Sequence, residues 1–361
     1  MERSRTQGES GATPAAPRTA PDRPSAQDRR VGPYRLVTRL DPPGTAVPCR
    51  RFVARTPDGD RTVLLSTPLP GTDPARFAAE ATAGRYLLGP WIAPVTDVSE
   101  PAGPAGPPGL TGQAGAPGAT GPSGPTTGPT TGPSGPTTGP AWYASPYVPA
   151  LPLPVALAVH GGPLPEATVR AVGAALAEAL AAAHSQGITH AGVSPAAVLL
   201  TADGPRLSCF GAVRAAAADG EPRTGLPGLD PGALAPEQAA GGRPRPPGDV
   251  FALGAVLAYA ATGHTVPERE ELPPALRPVV SSCLARDPAD RPTAAALMTS
   301  LAPPTAHHTV LNSAGALLTP GWLPGRVIAA LARQSAELLA AELPELPEQQ
   351  GRAEHATPAH A

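Results

Sequence analysis

Apolar residues recur at three- and four-residue intervals along one long stretch, and gather in short runs along several others. Val169, Val172, Leu176, Leu180 and Ala183 keep the helical interval, which predicts an amphipathic helix. Leu164-Pro165-Glu166 opens it and Gly187 closes it, glycine being the residue that most easily takes the left-handed conformation past a helix end. The short runs predict strands: Arg61 to Ser66 after the turn Pro57-Asp58-Gly59-Asp60, Trp91 to Val98, Ala141 to Ser145, and Val198 to Leu200. Asp203-Gly204 then makes a hairpin turn into a strand at Leu207-Ser208. Asp73-Pro74 starts a helix that runs through Phe77 to Glu80, with proline just inside its first turn. Near the end of the chain Val327, Ile328, Leu331, Leu338 and Leu339 predict a helix over 324–342. Its apolar face packs on the large helical part or receives a partner helix, the first being the favoured reading. Strands come first and helices follow, which is the order of an α+β fold.

Composition changes this picture at the edges. Of 361 residues 53 are proline and 40 glycine, a level that borders on low complexity. Residues 1–30 have no apolar periodicity and are expected to be disordered. Across 101–140 glycine recurs every third residue from Gly103 to Gly124, a collagen-like pattern that then breaks register. A single chain is expected to hold it as a polyproline-rich loop. The 27 basic and 29 acidic residues nearly balance, so no nucleic-acid footprint is present. No apolar run reaches the ~20 residues of a membrane span, and no N-terminal signal core is present, so a cytoplasmic protein is expected. Cys49, Cys209 and Cys283 show no disulfide or zinc spacing and are expected to be reduced thiols. His307-His308 lack further ligands, and no metal is expected.

Ordered motifs then fix a resemblance. His190-Ala191-Gly192-Val193-Ser194-Pro195-Ala196-Ala197 and the apolar run after it stand where the H-R-D-x-K-P-x-N loop of protein kinases stands. Cys209-Phe210-Gly211 falls at D-F-G, Ala235-Pro236-Glu237-Gln238 at A-P-E-Q, Asp249 to Gly254 at D-V-F-A-L-G, and Asp287 to Pro292 at D-P-x-x-R-P. The chain therefore resembles the bacterial, actinobacterial-type serine/threonine protein kinases. The resemblance implies a two-lobed α+β fold, with a β-rich small lobe over 31–150 and a helical large lobe over 151–303, followed by a tail over 304–361. It also implies that Glu237 and Arg291 form a buried ion pair, and that Glu80, His190, Phe210, Gly211 and Asp249 are structural family positions.

The same resemblance shows which chemistry is gone. All 27 basic residues are arginine, yet a kinase holds the nucleotide's phosphates with a strand lysine. Leu65 falls at that lysine, or Ser66 if the register slips by one. The loop that cradles phosphates keeps only Gly44, beside two prolines and Asp41, which would repel a phosphate. Gly192 replaces the catalytic base, and Ala197 and Cys209 replace the two magnesium ligands, although a hard cation demands oxygen. Glu80 has lost its lysine partner, so a solvated helix residue is the favoured reading, with an arginine pairing as the alternative. For adenine, Pro146 and Val148 keep the lobe-connecting backbone and Leu199 the apolar floor. An empty or collapsed pocket is expected, with no cofactor, or at most weak ATP binding without magnesium.

The sequence thus predicts a pseudokinase: a signalling module that binds proteins, an active kinase among the candidates, without nucleic acid or a membrane span. Two alternatives stand beside it. One is a serine/threonine kinase working through unconventional residues; the other is a structural protein that self-associates through the 101–140 insert.

Overall fold

The computed structural model describes residues 30–42, 45–99, 140–301 and 314–340. The N-terminal tail before Arg30, Gly44, nearly all of the 101–140 insert and His307-His308 lie outside these residues.

Strands β1 (Arg30–Val31), β2 (Tyr34–Arg39), β3 (Arg50–Arg55) and β4 (Thr62–Thr67) precede helix α1 (Pro74–Gly84). Strands β5 (Asp97–Val98) and β6 (Tyr143–Pro146) complete a six-stranded antiparallel sheet in the order β1-β2-β3-β4-β6-β5. The expected strand over Trp91 to Val98 is shorter than its apolar run. Only Asp97–Val98 pair in this sheet, while Ile92 bridges to Leu207 in the other lobe. Helix α1 starts as its sequence dictates: the Asp73 carboxylate accepts a hydrogen bond from the Ala75 N–H, and Pro74 occupies the first turn.

The larger part is helical. Strand β7 (Leu151–Pro152) leads into α2 (Leu153–His160) and α3 (Glu166–Ser185), and β8 (Val198–Thr201) pairs with both β7 and β9 (Gly204–Leu207) in a small sheet. Helices α4 (Ala212–Ala216), α5 (Pro236–Ala239), α6 (Pro246–Thr262), α7 (Arg277–Cys283) and α8 (Ala294–Ser300) follow, and α9 (Gly325–Ala340) lies in the tail. In the β8–β9 hairpin Thr201 pairs with Gly204, so the two turn residues are Ala202 and Asp203 rather than Asp203-Gly204. Gly204 opens β9 because a Cβ there would press within 2.9 Å of Leu318 and overlap Trp91.

The core of the helical lobe forms around α3 and α6. Val169, Val172, Leu176 and Leu180 are fully buried, as their spacing requires, against Val256 and Leu257. A Cβ on Gly173 would lie 2.6 Å from Leu257, so this glycine sets how closely the two helices approach. Helix α9 packs its Val327, Ala330 and Leu331 on the large lobe beside α2, and leaves Leu339 exposed. The docking of the tail on its own domain, favoured from the sequence, is the arrangement found. No helix among the described residues is long and apolar enough to cross a membrane.

Candidate functional site

The site lies where the two lobes meet, and strand alternation decides which side chains enter it. In β4, Leu64 and Ser66 face the cleft. Leu65 points the other way, packing with Tyr34, Ala54, Val63 and Trp142 on the outer side of the sheet. This corrects the register read from the turn: Ser66, not Leu65, occupies the cleft position of the family lysine, because successive strand residues face opposite sides. Arg51 sits opposite Ser66 in β3 and so shares its face.

That arginine is the dominant feature of the cleft, and the sequence reading did not single it out. Its side chain is fully buried. Nε donates to Asp41 Oδ2 at 2.9 Å, Nη2 forms a short ion pair with Asp41 Oδ1, and Nη1 donates to Ser208 Oγ at 3.1 Å. The guanidinium therefore links the loop after β2 to the residue before Cys209. A fork of this kind satisfies both carboxylate oxygens and offsets much of the cost of burying two charges. Burial alone would lower the Arg51 pKa, but the Asp41 carboxylate more than compensates and keeps the guanidinium charged. The only trace of this in the sequence is that Arg51 falls in step with Val53 on one face of the strand.

Beside Arg51 stand two thiols. Cys49 Sγ lies 3.7 Å from Cys209 Sγ, and both residues are buried. Hydrogen bonding from Cys49 pulls the Cys209 thiol down in pKa, aided by the Arg51 charge against the effect of burial. Cys49 is pushed up in turn by that shared bond and by burial. All three cysteines are free thiols, as expected.

The loop carrying His190 is held in shape by its neighbours. Asp249, from the first turn of α6, accepts hydrogen bonds from the His190 N–H at 2.7 Å and the Ala191 N–H at 2.8 Å, and contacts His184 Nε2 at 2.9 Å. Ser194 caps the short turn over Pro195 to Ala197 through its hydroxyl. His190 is fully buried, its ring edge-on to Phe210 at 5.5 Å, and burial pushes its pKa down to about 4. Neither of its ring nitrogens finds a hydrogen-bond partner among the described residues. Ala191 and Cys209 both adopt positive φ, at 51° and 62°, which few non-glycine residues do. A Cβ placed on Gly192 would overlap the Cys209 carbonyl oxygen. The backbone of one loop thus fills the position from which a base would project.

Glu80 is not the solvated residue favoured from the sequence. Arg214, on α4, reaches it with Nη2 at 2.7 Å and Nε at 2.8 Å, while the same guanidinium lies over the Phe210 ring at 5.0 Å. The arginine alternative is therefore the one realised. Gly211 is tight against it, since a Cβ there would meet the Glu80 side chain. Glu237 and Arg291 pair through both oxygens, at 2.7 and 2.9 Å, with Arg291 fully buried and Glu237 about 32% exposed. Burial pushes the Glu237 carboxyl up, but the Arg291 hydrogen bonds outweigh it and hold it below the usual carboxylate range.

The outer end of the cleft differs in kind. Leu40, Leu64, Ala150 and Leu199 enclose a largely apolar cavity of about 250 Å³ bordered by Pro146 and Val148. Tyr147 also lines it, and its buried hydroxyl has no hydrogen-bond partner among the described residues. Of the empty or collapsed pocket expected from the sequence, the collapsed form is not what is found at this end, which is open.

Comparison with solved structures gives the architecture its identity. The kinase domain of Mycobacterium tuberculosis PknI, crystallised as a cysteine-to-alanine variant, superposes with a TM-score of 0.52 over 75% of this chain and 95% of that domain, at 23% identity. The fold is that of a protein kinase domain. Sequence relatives agree. The probable serine/threonine-protein kinase PkwA of Thermomonospora curvata is 32% identical over 294 residues, covering 75% of this chain and 34% of that protein. The serine/threonine-protein kinase AfsK of Streptomyces coelicolor is 28% identical over 322 residues, covering 83% of this chain and 35% of that protein. The homologues of this kinase-like chain are thus actinobacterial serine/threonine kinases, and it spans about a third of their length. No family model matches it.

Proposed function

We propose that this kinase-like domain is a pseudokinase, a protein-binding or regulatory module in signalling that does not transfer phosphate. One observation carries the reading. The space a nucleotide's phosphates would enter is crossed by the chain's own buried Arg51–Asp41 pair, anchored on Ser208. A magnesium–triphosphate group does not fit these residues. Asp41 would repel it, Ser66 cannot bridge to it, and Cys209 and Ala197 offer no carboxylate or amide oxygen to the metal. The base position is filled by the Cys209 carbonyl. The frame around these positions is kept, which suits a module whose surface rather than whose cleft does the work.

A serine/threonine kinase using unconventional residues is the second reading, supported by the names its relatives carry. A thermal-shift titration with adenosine, ATP and ATP with Mg²⁺, run beside a radiolabelled phosphate-transfer assay, separates the two. The pseudokinase predicts that magnesium adds no stabilisation and that no label is transferred. Magnesium-dependent stabilisation with transfer would establish the enzyme instead.

A further inference from the structure

Cys49 and Cys209 are 160 positions apart in the chain, yet their sulfurs are 3.7 Å apart. One belongs to the segment entering β3 of the small lobe; the other follows β9 in the large lobe. The proposed function uses Cys209 only for the carboxylate it lacks and for its backbone carbonyl, and leaves both thiols without a role. A cavity of about 20 Å³ lies against both, bordered by Pro48, Phe77 and Tyr143, room for one water-sized molecule. Hydrogen peroxide, with two oxygens, is somewhat larger, and enters with a small outward movement of the lining side chains. We propose that Cys49 and Cys209 form a reversible, peroxide-driven disulfide that ties the two lobes together across the cleft.

The chemistry balances with peroxide as the oxidant. The Cys209 thiolate attacks one peroxide oxygen, the O–O bond breaks, and hydroxide leaves, giving a sulfenic acid at Cys209. The Cys49 sulfur then attacks the Cys209 sulfur, forming the S–S bond and expelling a second hydroxide. The proton from Cys49 and one from solvent turn the hydroxides into water, so two thiols and one peroxide give one disulfide and two waters. Arg51 stands beside the pair and favours the thiolate that begins the sequence. The sulfurs must close to about 2 Å, which draws the β3 segment toward Cys209 in the direction the Arg51–Ser208 bond already holds it. Cys283 is remote, buried in the core of the large lobe, with its thiol pushed up to about 12 by burial. It serves as an internal control.

The test uses the full chain, reduced and then treated with hydrogen peroxide. Intact mass, thiol titration in denaturant and a non-reducing peptide map are read together. The expected result is an intramolecular Cys49–Cys209 bond with a loss of two hydrogens, Cys283 left as the free thiol, and reversal by dithiothreitol. The melting temperature should rise by about 5 °C or more, because a long loop of the unfolded chain is closed. Cys49→Ser and Cys209→Ser should each abolish the bond, and Cys283→Ser should keep it. Three free thiols at a peroxide dose that fully oxidises an exposed-cysteine peptide would overturn the proposal. So would a bond involving Cys283, a bond between chains, or separate over-oxidation of Cys49 and Cys209.

Discussion

The two ends of one cleft have been treated differently. At the outer end Leu40, Leu64 and Leu199 keep an apolar cavity open, with the unpartnered Tyr147 hydroxyl at its edge. At the inner end Arg51, Asp41, Ser208 and the two thiols close the space with bonds among themselves. The difference follows from what lines each end. An apolar surface tolerates being left empty, because it loses only packing. Buried charged and polar groups cannot be left so, since each must find a partner. Here the partners come from the chain itself.

The largest effect should come from breaking that internal pairing. Asp41→Ala leaves Arg51 charged and buried without its carboxylate, and should cost about 3–5 kcal/mol in denaturant unfolding. Adding Arg51→Met should recover most of that loss; a double variant no better than the single would show that the inner end is not held by charge pairing. Next comes Gly192→Ala, expected to cost about 1–3 kcal/mol through overpacking against the Cys209 carbonyl, with faster amide exchange in the residues around Cys209. An unchanged stability would mean that the base position is open. Glu80→Gln weakens a pair with both partners partly exposed and should cost no more than about 1 kcal/mol. A cost as large as that of Asp41→Ala would erase the contrast between lobe docking and the buried plug.

The smallest effect is a pH dependence outside the cleft. The folded Glu237 carboxyl is held below its unfolded value by Arg291, so its contribution is fully present above the unfolded value. It is lost as pH falls through the lowered folded value. The stability difference between the parent and Glu237→Gln should therefore be constant above the unfolded carboxyl range of about 4.3 and shrink steadily as pH falls below it; a difference unchanged with pH would remove this contribution.

Much of this protein was legible in its residues. The three-and-four spacing of Val169 to Ala183 fixes α3, because a helix has no other way to bury those positions together. Asp249, Glu237 and Arg291 could be placed because the order of the motifs along the chain is kept. What a linear reading cannot supply is facing. Leu65 and Ser66 are neighbours, and a shift of one residue exchanges cleft for outer surface; only the pairing of β4 with β3 and β6 settles it. Glu80 looked stranded because its partner, Arg214, is far along the chain and sits on a helix of only five residues.

The sequence by itself determined the α+β order of elements and the absence of any lysine, since these depend on which residues are present. Tertiary structure alone decided that Arg51 turns inward onto Asp41 and Ser208, that Cys49 meets Cys209, and that the Cys209 carbonyl occupies the space a Cβ on Gly192 would need. Those outcomes depend on two lobes closing on each other, where the cost of an unpaired buried charge selects the partner.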